Sequence, residues 1–379
     1  MSKVLKITAG AVVLILIVWG IIASSKKDVV STEPIKLGVS TILSSDWAAL
    51  GQNIVNASKL AVEEINARGG IDGRTVELVI EDAGLDSKAG LSAAQKLVNV
   101  DKVKYIIGGT SSNGTMAAAP VVNQGKAVYL TPVTGGSNVD NAGDYVFRTA
   151  NSDLLAGRDL ASAAFRLGYK NVATISEVTE YTLDIKKTFE ASFKELGGMI
   201  ASSEEFQPGT SDFRTIVAKV KASKPDATLV LSQTGTGGAK FIKQAREAGI
   251  VVPLFSDFTF ITNGDAKGIV GSFEGAYFAD PAYDANSATT IAFFKKYKDA
   301  YKADPLIPFH AASAYDSIMM IADAIDAVGD NSAKVQTWLS TKVQDRKGLM
   351  GTYSIDAKGN SDLGFVIKQV KGDKFVEVK

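Results

Sequence analysis

The chain has 379 residues, with 41 Lys and Arg balanced by 41 Asp and Glu, a single His and no Cys. Without Cys, disulfides, thiolate metal sites, Cys nucleophiles and a lipid-modified Cys anchor are excluded, and a net charge of zero argues against a nucleic-acid-binding protein. The length and a hydrophobic content of 46% suggest two domains of ordinary size, each with its own core.

The N-terminal segment has the pattern of an export sequence. An uncharged run at residues 7–25 lies between Lys6 and Lys26, and its centre is apolar on all sides. About 20 such residues can cross a bilayer as a helix, and a positive start before an apolar run is also typical of a secretory signal. Residues 1–34 are therefore expected to be a cleaved signal or an uncleaved membrane anchor with its linker. The body is expected at the periplasmic or extracellular face.

From residue 35 onward, short apolar strands alternate with amphipathic helices. Strands are predicted at 36–40, 76–80, 105–108, 127–130, 172–175, 200–206 and 227–231, and helices at 54–65, 87–98, 154–167, 185–196 and 213–221. This alternation predicts parallel sheets covered by helices on both faces. Because the strands are too many for one comfortable sheet, we expect an α/β protein with two doubly wound parallel-sheet lobes.

The C-terminal segment breaks this rhythm. Alternating residues at 352–355 and 365–370 predict strands, and Gly372 with Asp373 predicts a tight turn into a last strand at 375–378. No long linker separates the two halves of the chain. The chain is therefore expected to cross between the lobes more than once and to enclose a cleft.

Two glycine-rich segments follow predicted strands. Residues 235–240 fail the dinucleotide-binding fingerprint, since Lys240 stands where the third Gly belongs, and they are predicted to form a turn lining the cleft. Residues 108–114 lack the spacing of a nucleophile elbow. They do place Ser111 and Ser112 at a helix start, where hydroxyls and free N–H groups suit a carboxylate. Ordinary N-capping explains the same residues, and the two roles are compatible.

Neither catalysis nor metal binding is expected. His310 precedes a predicted helix without a visible partner, so a structural role is predicted for it. The carboxylates lack calcium-loop spacing, no nucleophile and base can be paired, and no cofactor is expected. Tyr181 follows the end of a predicted strand, where parallel α/β folds place ligands, and is expected at the cleft.

Five further motifs occur in a characteristic order. They are AVEEINARGGIDG at 61–73, EDA at 81–83, YIIGGTSS at 105–112, LTP at 130–132 and FQPGTSDF at 206–213. In this order the chain, from residue 35 nearly to its end, resembles the Leu/Ile/Val-binding branch of the type I periplasmic binding proteins, the substrate-binding components of ABC transporters. Each motif is weak alone, but the five behind an export segment are specific together.

The resemblance implies two lobes, joined by three crossings, that close on a small ligand. Lobe 1 is expected at 35–149 with 282–345, and lobe 2 at 150–281 with 346–379. The implied ligand is an amino acid of the branched-chain type or a related carboxylate or amide. The implied partner is an ABC permease in the membrane, with no nucleic acid, and the binding protein is expected to be monomeric and not an enzyme. A ligand-sensing extracellular receptor domain of the same fold is the alternative.

The resemblance also implies a set of ligand-binding residues. They are Ser112 with Ser111 beside it for the carboxylate, Thr134 and Gly135 for the ammonium and backbone contacts, Tyr181 as a lid, Leu50 and Thr234 (or Gly235) at positions that are aromatic in the family, and Asp257 as the acid for the ammonium. The family's acid falls at or next to Phe258, one step from Asp257. If Asp257 points away from the cleft, a carboxylate or amide without the amine is favoured, because a buried unpaired ammonium is costly.

Overall fold

A computed structural model describes residues 33–44, 47–361 and 363–378. The candidate signal or anchor at residues 7–25 lies outside this part of the chain. Within the described ranges, no helix is both long enough and apolar enough to cross a membrane.

The first sheet has five parallel strands in the order β2-β1-β3-β4-β5. The strands are β1 (Ile35–Thr41), β2 (Val76–Asp82), β3 (Tyr105–Gly108), β4 (Val128–Thr131) and β5 (Val146–Arg148), and the helices between them are α1 (Ala48–Ala67), α2 (Ser87–Gln95), which runs into a π-helical turn at Lys96–Val100, and α3 (Ser112–Gln124). A 3₁₀ turn, Ser137–Asn141, precedes β5. β3 and β4 are buried along their whole length, as expected for parallel strands covered on both faces.

The second sheet has seven strands in the order β14-β13-β10-β9-β8-β6-β7. The strands are β6 (Asn171–Glu177), β7 (Met199–Phe206), β8 (Ala227–Leu231), β9 (Leu254–Asp257), β10 (Tyr277–Pro281), β13 (Phe365–Lys371) and β14 (Lys374–Glu377), and the helices are α4 (Asp153–Arg166), α5 (Glu180–Glu195), α6 (Arg214–Ser223), α7 (Thr236–Glu247), α8 (Phe258–Thr262) and α9 (Gly264–Val270). β6 to β10 are parallel, and β13 and β14 are antiparallel additions. The predicted hairpin is confirmed, since Lys371 pairs with Lys374 across the turn.

Between β10 and β13 the chain returns to the first sheet. This return comprises α10 (Ala288–Tyr301), α11 (Pro308–Val328), α12 (Ser332–Lys342) and a small two-stranded sheet of β11 (Arg346–Gly348) and β12 (Gly351–Tyr353). Apolar residues at helical spacing explain the packing, because Ile318, Ile321 and Ile325 of α11 share one buried core with Leu60 and Ile65 of α1. The predicted α/β fold with two lobes is confirmed.

The third crossing lies later in the chain than the limit at residue 345 expected from the sequence. Met350, Tyr353 and Ile355 are buried in the core of the first lobe. The buried carboxylate of Asp316 in α11 fixes this segment, because it accepts hydrogen bonds from the backbone N–H groups of Leu349 (2.9 Å) and Met350 (3.0 Å). We therefore place the crossing between residues 356 and 364, just before β13.

The two lobes touch across the cleft. Ile42, Leu50 and Ile307 of the first lobe belong to the same buried apolar cluster as Phe258 of the second. At the rim, the backbone N–H of Ser137 donates to Asp184 Oδ2 in α5 at 2.7 Å. The structure is therefore the closed arrangement of the two lobes.

A pair of glycine substitutions tests the packing of α1 on β1. Gly51 in α1 lies so close to the chain that a Cβ atom would sit 1.5 Å from the carbonyl oxygen of Ile42, whereas a Cβ at Gly268 in α9 meets nothing within 4 Å. Gly51→Ala should lower the free energy of unfolding by about 2 kcal/mol or more through overpacking. Gly268→Ala, the matched control in an exposed helix, should raise it by about 0.5–1 kcal/mol. Urea unfolding of both variants measures the two changes in the free energy of unfolding. Equal changes in the two variants would contradict the close approach of Gly51 to Ile42.

Candidate functional site

A cavity of about 50 Å³ lies between the two sheets, lined by both lobes. Its polar lining includes Ser111, Ser112, Thr134, Asn151, Asp153, Tyr181, Gln233, Thr259 and His310, and its apolar lining includes Trp47, Leu50, Leu85, Val133, Phe258, Ile307, Phe309 and Phe365. Leu50, one of the positions predicted for ligand contact, thus forms part of an apolar wall, with Trp47 beside it. A ligand enclosed here would bury an apolar body against these residues.

The two adjacent serines at the start of α3 have different roles. Ser111 is the N-cap: its Oγ accepts from the backbone N–H of Gly114 (3.0 Å) and donates to the carbonyl oxygen of Leu85 (2.6 Å). Ser112 begins the helix, and its hydroxyl has no hydrogen-bond partner among the described residues. The first N–H groups of a helix also lack partners within it. Ser112 is therefore the hydroxyl that remains available to an anion in the cleft.

Thr134 and Gly135 line the cleft, but their polar groups are largely committed to the protein. Thr134 Oγ1 donates to the carbonyl oxygen of Gly109 (2.9 Å) and lies 2.9 Å from Thr115 Oγ1. The carbonyl oxygen of Gly135 accepts from the N–H of Asp153 (2.8 Å) and from Arg148 Nη1 (3.3 Å). This loop therefore offers a ligand ammonium fewer free acceptors than the sequence alone suggests.

Tyr181 lies in the first turn of α5, which is capped by Thr179, and its ring reaches the cleft. Its hydroxyl donates to Asp257 Oδ1 at 2.9 Å and lies 3.1 Å from Thr259 Oγ1. Burial, followed by the nearby charge of Asp257, raises the pKa of Tyr181, so the hydroxyl keeps its proton. The predicted position of Tyr181 at the cleft thus comes with a specific partner, Asp257.

Asp257 lies behind Tyr181 and does not itself line the cavity. Its side chain caps α8 by accepting the N–H of Phe260 (3.1 Å), and its Oδ2 is enclosed without a hydrogen-bond partner in the described structure. Burial raises the pKa of Asp257 to about 6, against the opposing effect of its hydrogen bonds. Asp257 is therefore a buried carboxylate with spare acceptor capacity, one side chain away from the cleft.

Thr234 lies outside the cleft. Its hydroxyl donates to Glu177 Oε1 (2.7 Å) and its backbone N–H to Glu177 Oε2 (2.9 Å), where Ser232 also donates. The fully buried carboxylate of Glu177 at the end of β6 needs these donors. These hydrogen bonds hold Thr234 away from the cavity, whereas its neighbour Gln233 lines it.

Sequence reasoning missed several polar cleft residues, among them His310 and Asp153. His310 lies in the first turn of α11, is 3% exposed, and its Nδ1 lies 2.8 Å from the carbonyl oxygen of Pro132. Asp153 begins α4 directly after the first crossing. The available signal was position, because both residues lie in the first turn of a helix.

Comparison with known proteins places this geometry in context. Residues 34–370 match the sequence model of the family described as periplasmic binding protein. The Leu/Ile/Val-binding protein homolog 2 of Brucella abortus is 26% identical over 348 residues, which cover 87% of this chain and 88% of that protein. The Leu/Ile/Val-binding protein of Escherichia coli K12 is 25% identical over 347 residues, which cover 90% of this chain and 92% of that protein.

Solved structures share the fold. A leucine-binding protein of Thermotoga maritima superposes with a TM-score of 0.82 at 25% identity, covering 91% of this chain and 98% of that one. A branched-chain amino acid transporter substrate binding protein of Streptococcus pneumoniae, in complex with isoleucine, superposes with a TM-score of 0.80 at 28% identity, covering 91% of this chain and 99% of that one. The predicted resemblance is thereby confirmed.

The buried carboxylate of Asp257 predicts a pH dependence of stability. Its pKa in the folded protein, about 6, lies above the unfolded value of 3.8. Its contribution to stability is therefore fully present below pH 4 and is lost as the pH rises through 6. Relative to Asp257→Asn, which keeps an N-capping side chain, the wild type should lose about 3 kcal/mol between pH 4 and pH 7. Urea unfolding across this range measures the difference; parallel profiles would mean that Asp257 is not desolvated.

Proposed function

This chain belongs to the periplasmic binding protein family, and we propose that it is the extracytoplasmic solute-binding component of an ABC importer. Its ligand is a small amino acid of the branched-chain type or a related carboxylate or amide. The observation that carries the proposal is the pairing of an uncommitted helix start at Ser112 with an apolar wall from both lobes in one cleft. The family is one of solute-binding proteins, which agrees with a binding role rather than catalysis.

The carboxylate of the ligand binds at the start of α3. The Ser112 hydroxyl and the first N–H groups of the helix donate to it, and the positive end of the helix dipole favours the negative charge. Ser111 holds the helix start rigid through its bonds to Gly114 and Leu85. The donors are thus in place before the ligand arrives, which lowers the entropic cost of binding.

The rest of the ligand lies against Leu50, Leu85 and Phe309 under Tyr181. Asp257 acts on a ligand amine through Tyr181. The Tyr181 hydroxyl donates its proton to Asp257, so its oxygen can accept a hydrogen bond from the ligand amine. The similar proteins of Brucella abortus and Escherichia coli are Leu/Ile/Val-binding proteins by name, and the Streptococcus pneumoniae structure holds isoleucine. These similarities support an α-amino acid with a branched aliphatic side chain.

Closure of the lobes couples binding to transport. Leu50 from lobe 1 and Tyr181 from lobe 2 line the same cavity, so a ligand makes its full set of contacts only when the lobes are shut. The ligand therefore shifts the population toward the closed arrangement, which an ABC permease recognises. The protein acts as a monomer at the periplasmic or extracellular face, and residues 7–25 either direct its export or tether it there.

Ser112→Ala tests the carboxylate site. Loss of the hydroxyl should weaken leucine binding about tenfold or more, because a hydrogen bond to a charged group contributes about 1.5–3 kcal/mol. Ser332→Ala is the matched control, since Ser332 is the first residue of α12, directly after its N-cap Asn331 and away from the cleft. Isothermal titration calorimetry of both variants with leucine measures the effect. Equal affinities in the two variants would contradict a carboxylate at Ser112.

Asp257→Asn tests the recognition of the amine. Affinity for leucine should fall by about tenfold or more, while affinity for 4-methylpentanoate, the same molecule without the amine, should stay within a factor of about two. The same calorimetric titration compares the two ligands. An equal loss for both would show that Asp257 is not the partner of the amine.

A further inference from the structure

The one histidine of the sequence, His310, lies in the cleft wall. It occupies the first turn of α11, next to Phe309 and opposite Phe258 of the second lobe, with ring centroids 5.4 Å and 5.5 Å away. Phe258 and Phe309 also line the cavity. The imidazole is therefore a polar group in a mainly apolar part of the site, and it faces the space between the lobes.

The hydrogen bond of Nδ1 fixes the tautomer of this ring. Nδ1 lies 2.8 Å from the carbonyl oxygen of Pro132, and a carbonyl oxygen can only accept. Nδ1 therefore carries the proton. Burial lowers the pKa of His310 to about 4, so the ring is neutral at physiological pH and Nε2 is an unprotonated acceptor.

Nε2 has no hydrogen-bond partner among the described residues. Because His310 lines the cavity, this acceptor is available to a donor from an enclosed ligand, and a hydrogen bond there would favour ligands that carry such a donor. Gln233 also lines the cleft, but its amide can present either a donor or an acceptor. The role of His310 is fixed by Pro132 as that of an acceptor.

Other acceptors near the cleft are less suited to this task. The Thr134 hydroxyl is hydrogen-bonded within lobe 1, and the Gly135 carbonyl oxygen accepts from Asp153 at the first crossing. Asp257 is reached only through Tyr181. Asp153 is a carboxylate on the lining, and its charge favours a cation. A neutral imidazole accepts equally from an amine, an amide or a hydroxyl.

We propose that His310 is a specificity-determining residue whose Nε2 accepts a hydrogen bond from the ligand. The ligand class is then a small carboxylic acid that carries an N–H or O–H donor separate from its carboxylate. This inference rests on the proposed function, because it requires a carboxylate ligand in the same cleft, and it adds a requirement that the apolar wall and Ser112 do not impose.

Two ligand pairs and two variants test the proposal. Leucine with 4-methylpentanoate probes an amine donor, and threonine with valine probes a hydroxyl donor. Calorimetry of the wild type should show about a tenfold preference for the donor-bearing member of at least one pair. His310→Phe should reduce that preference to about threefold or less by weakening that member alone, and His310→Gln, which keeps a side-chain acceptor, should restore part of it.

The outcomes separate the inference from the proposed function. An unchanged preference in His310→Phe, or an equal loss for both members of each pair, overturns the role of His310 while leaving the binding function intact. Absence of binding by all four compounds to the wild type overturns this inference together with the branched-chain reading of the proposed function. If His310→Phe reduces the preference for leucine over 4-methylpentanoate, the donor is an amine; if it reduces the preference for threonine over valine, the donor is a hydroxyl.

A second measurement does not depend on the variants folding. Because the chain has one histidine, protein labelled with ¹⁵N-histidine and purified without a histidine tag gives one set of imidazole signals. Nuclear magnetic resonance at pH 7 should show a protonated Nδ1 and an unprotonated Nε2 whose signal shifts when the preferred ligand is added. A protonated Nε2, or an Nε2 signal that does not move at saturation, would contradict the proposal.

Discussion

Parallel strands place all their carboxyl ends at one edge of a sheet, and both sheets of this protein turn that edge toward the same cleft. Ser112 follows β3, Thr134 follows β4, and Tyr181 follows β6. The same geometry directs the first turns of α3, α5 and α8 at the cavity, where Ser111, Thr179 and Asp257 each cap one N–H group of their helix. The proposed carboxylate site at the start of α3 thus follows from strand direction, and the neighbouring side chains determine which ligand it accepts.

Selection depends on which buried polar groups the protein satisfies by itself. Glu177 receives donors from Ser232 and Thr234 and has a structural role. Asp257 Oδ2 and His310 Nε2 lack such donors within the described structure. His310 lines the cleft, whereas Asp257 lies behind Tyr181 and is reached only through its hydroxyl. A ligand with a matching donor therefore pairs with His310 directly, and with Asp257 only through Tyr181, when the lobes close on it.

Much of this arrangement could be predicted from sequence because it depends on local pattern. The alternation of strands and helices predicts the two lobes, and the strand-to-helix step at Ser111 and Ser112 predicts a helix start at the cleft. The rest depends on distant partners. Thr234 is drawn away from the cavity by Glu177, 57 residues earlier in the chain, and His310 is fixed by Pro132, 178 residues earlier. The limit of lobe 1 at residue 345 was too early, because residues 349–355 are held in that lobe by distant contacts with Asp316 and the core, which local pattern does not show.

The central claim is that the interlobe cleft closes on a small amino acid or related carboxylate, and a thermal-shift panel tests it most directly. The panel comprises aliphatic and polar amino acids, small carboxylates and amides, each at millimolar concentration. A ligand that binds with micromolar affinity should stabilise the protein by about 4 kcal/mol, a readily measured rise in melting temperature. We expect such a rise for at least one branched-chain amino acid or its carboxylate analogue. No shift with any member of the panel would contradict the account.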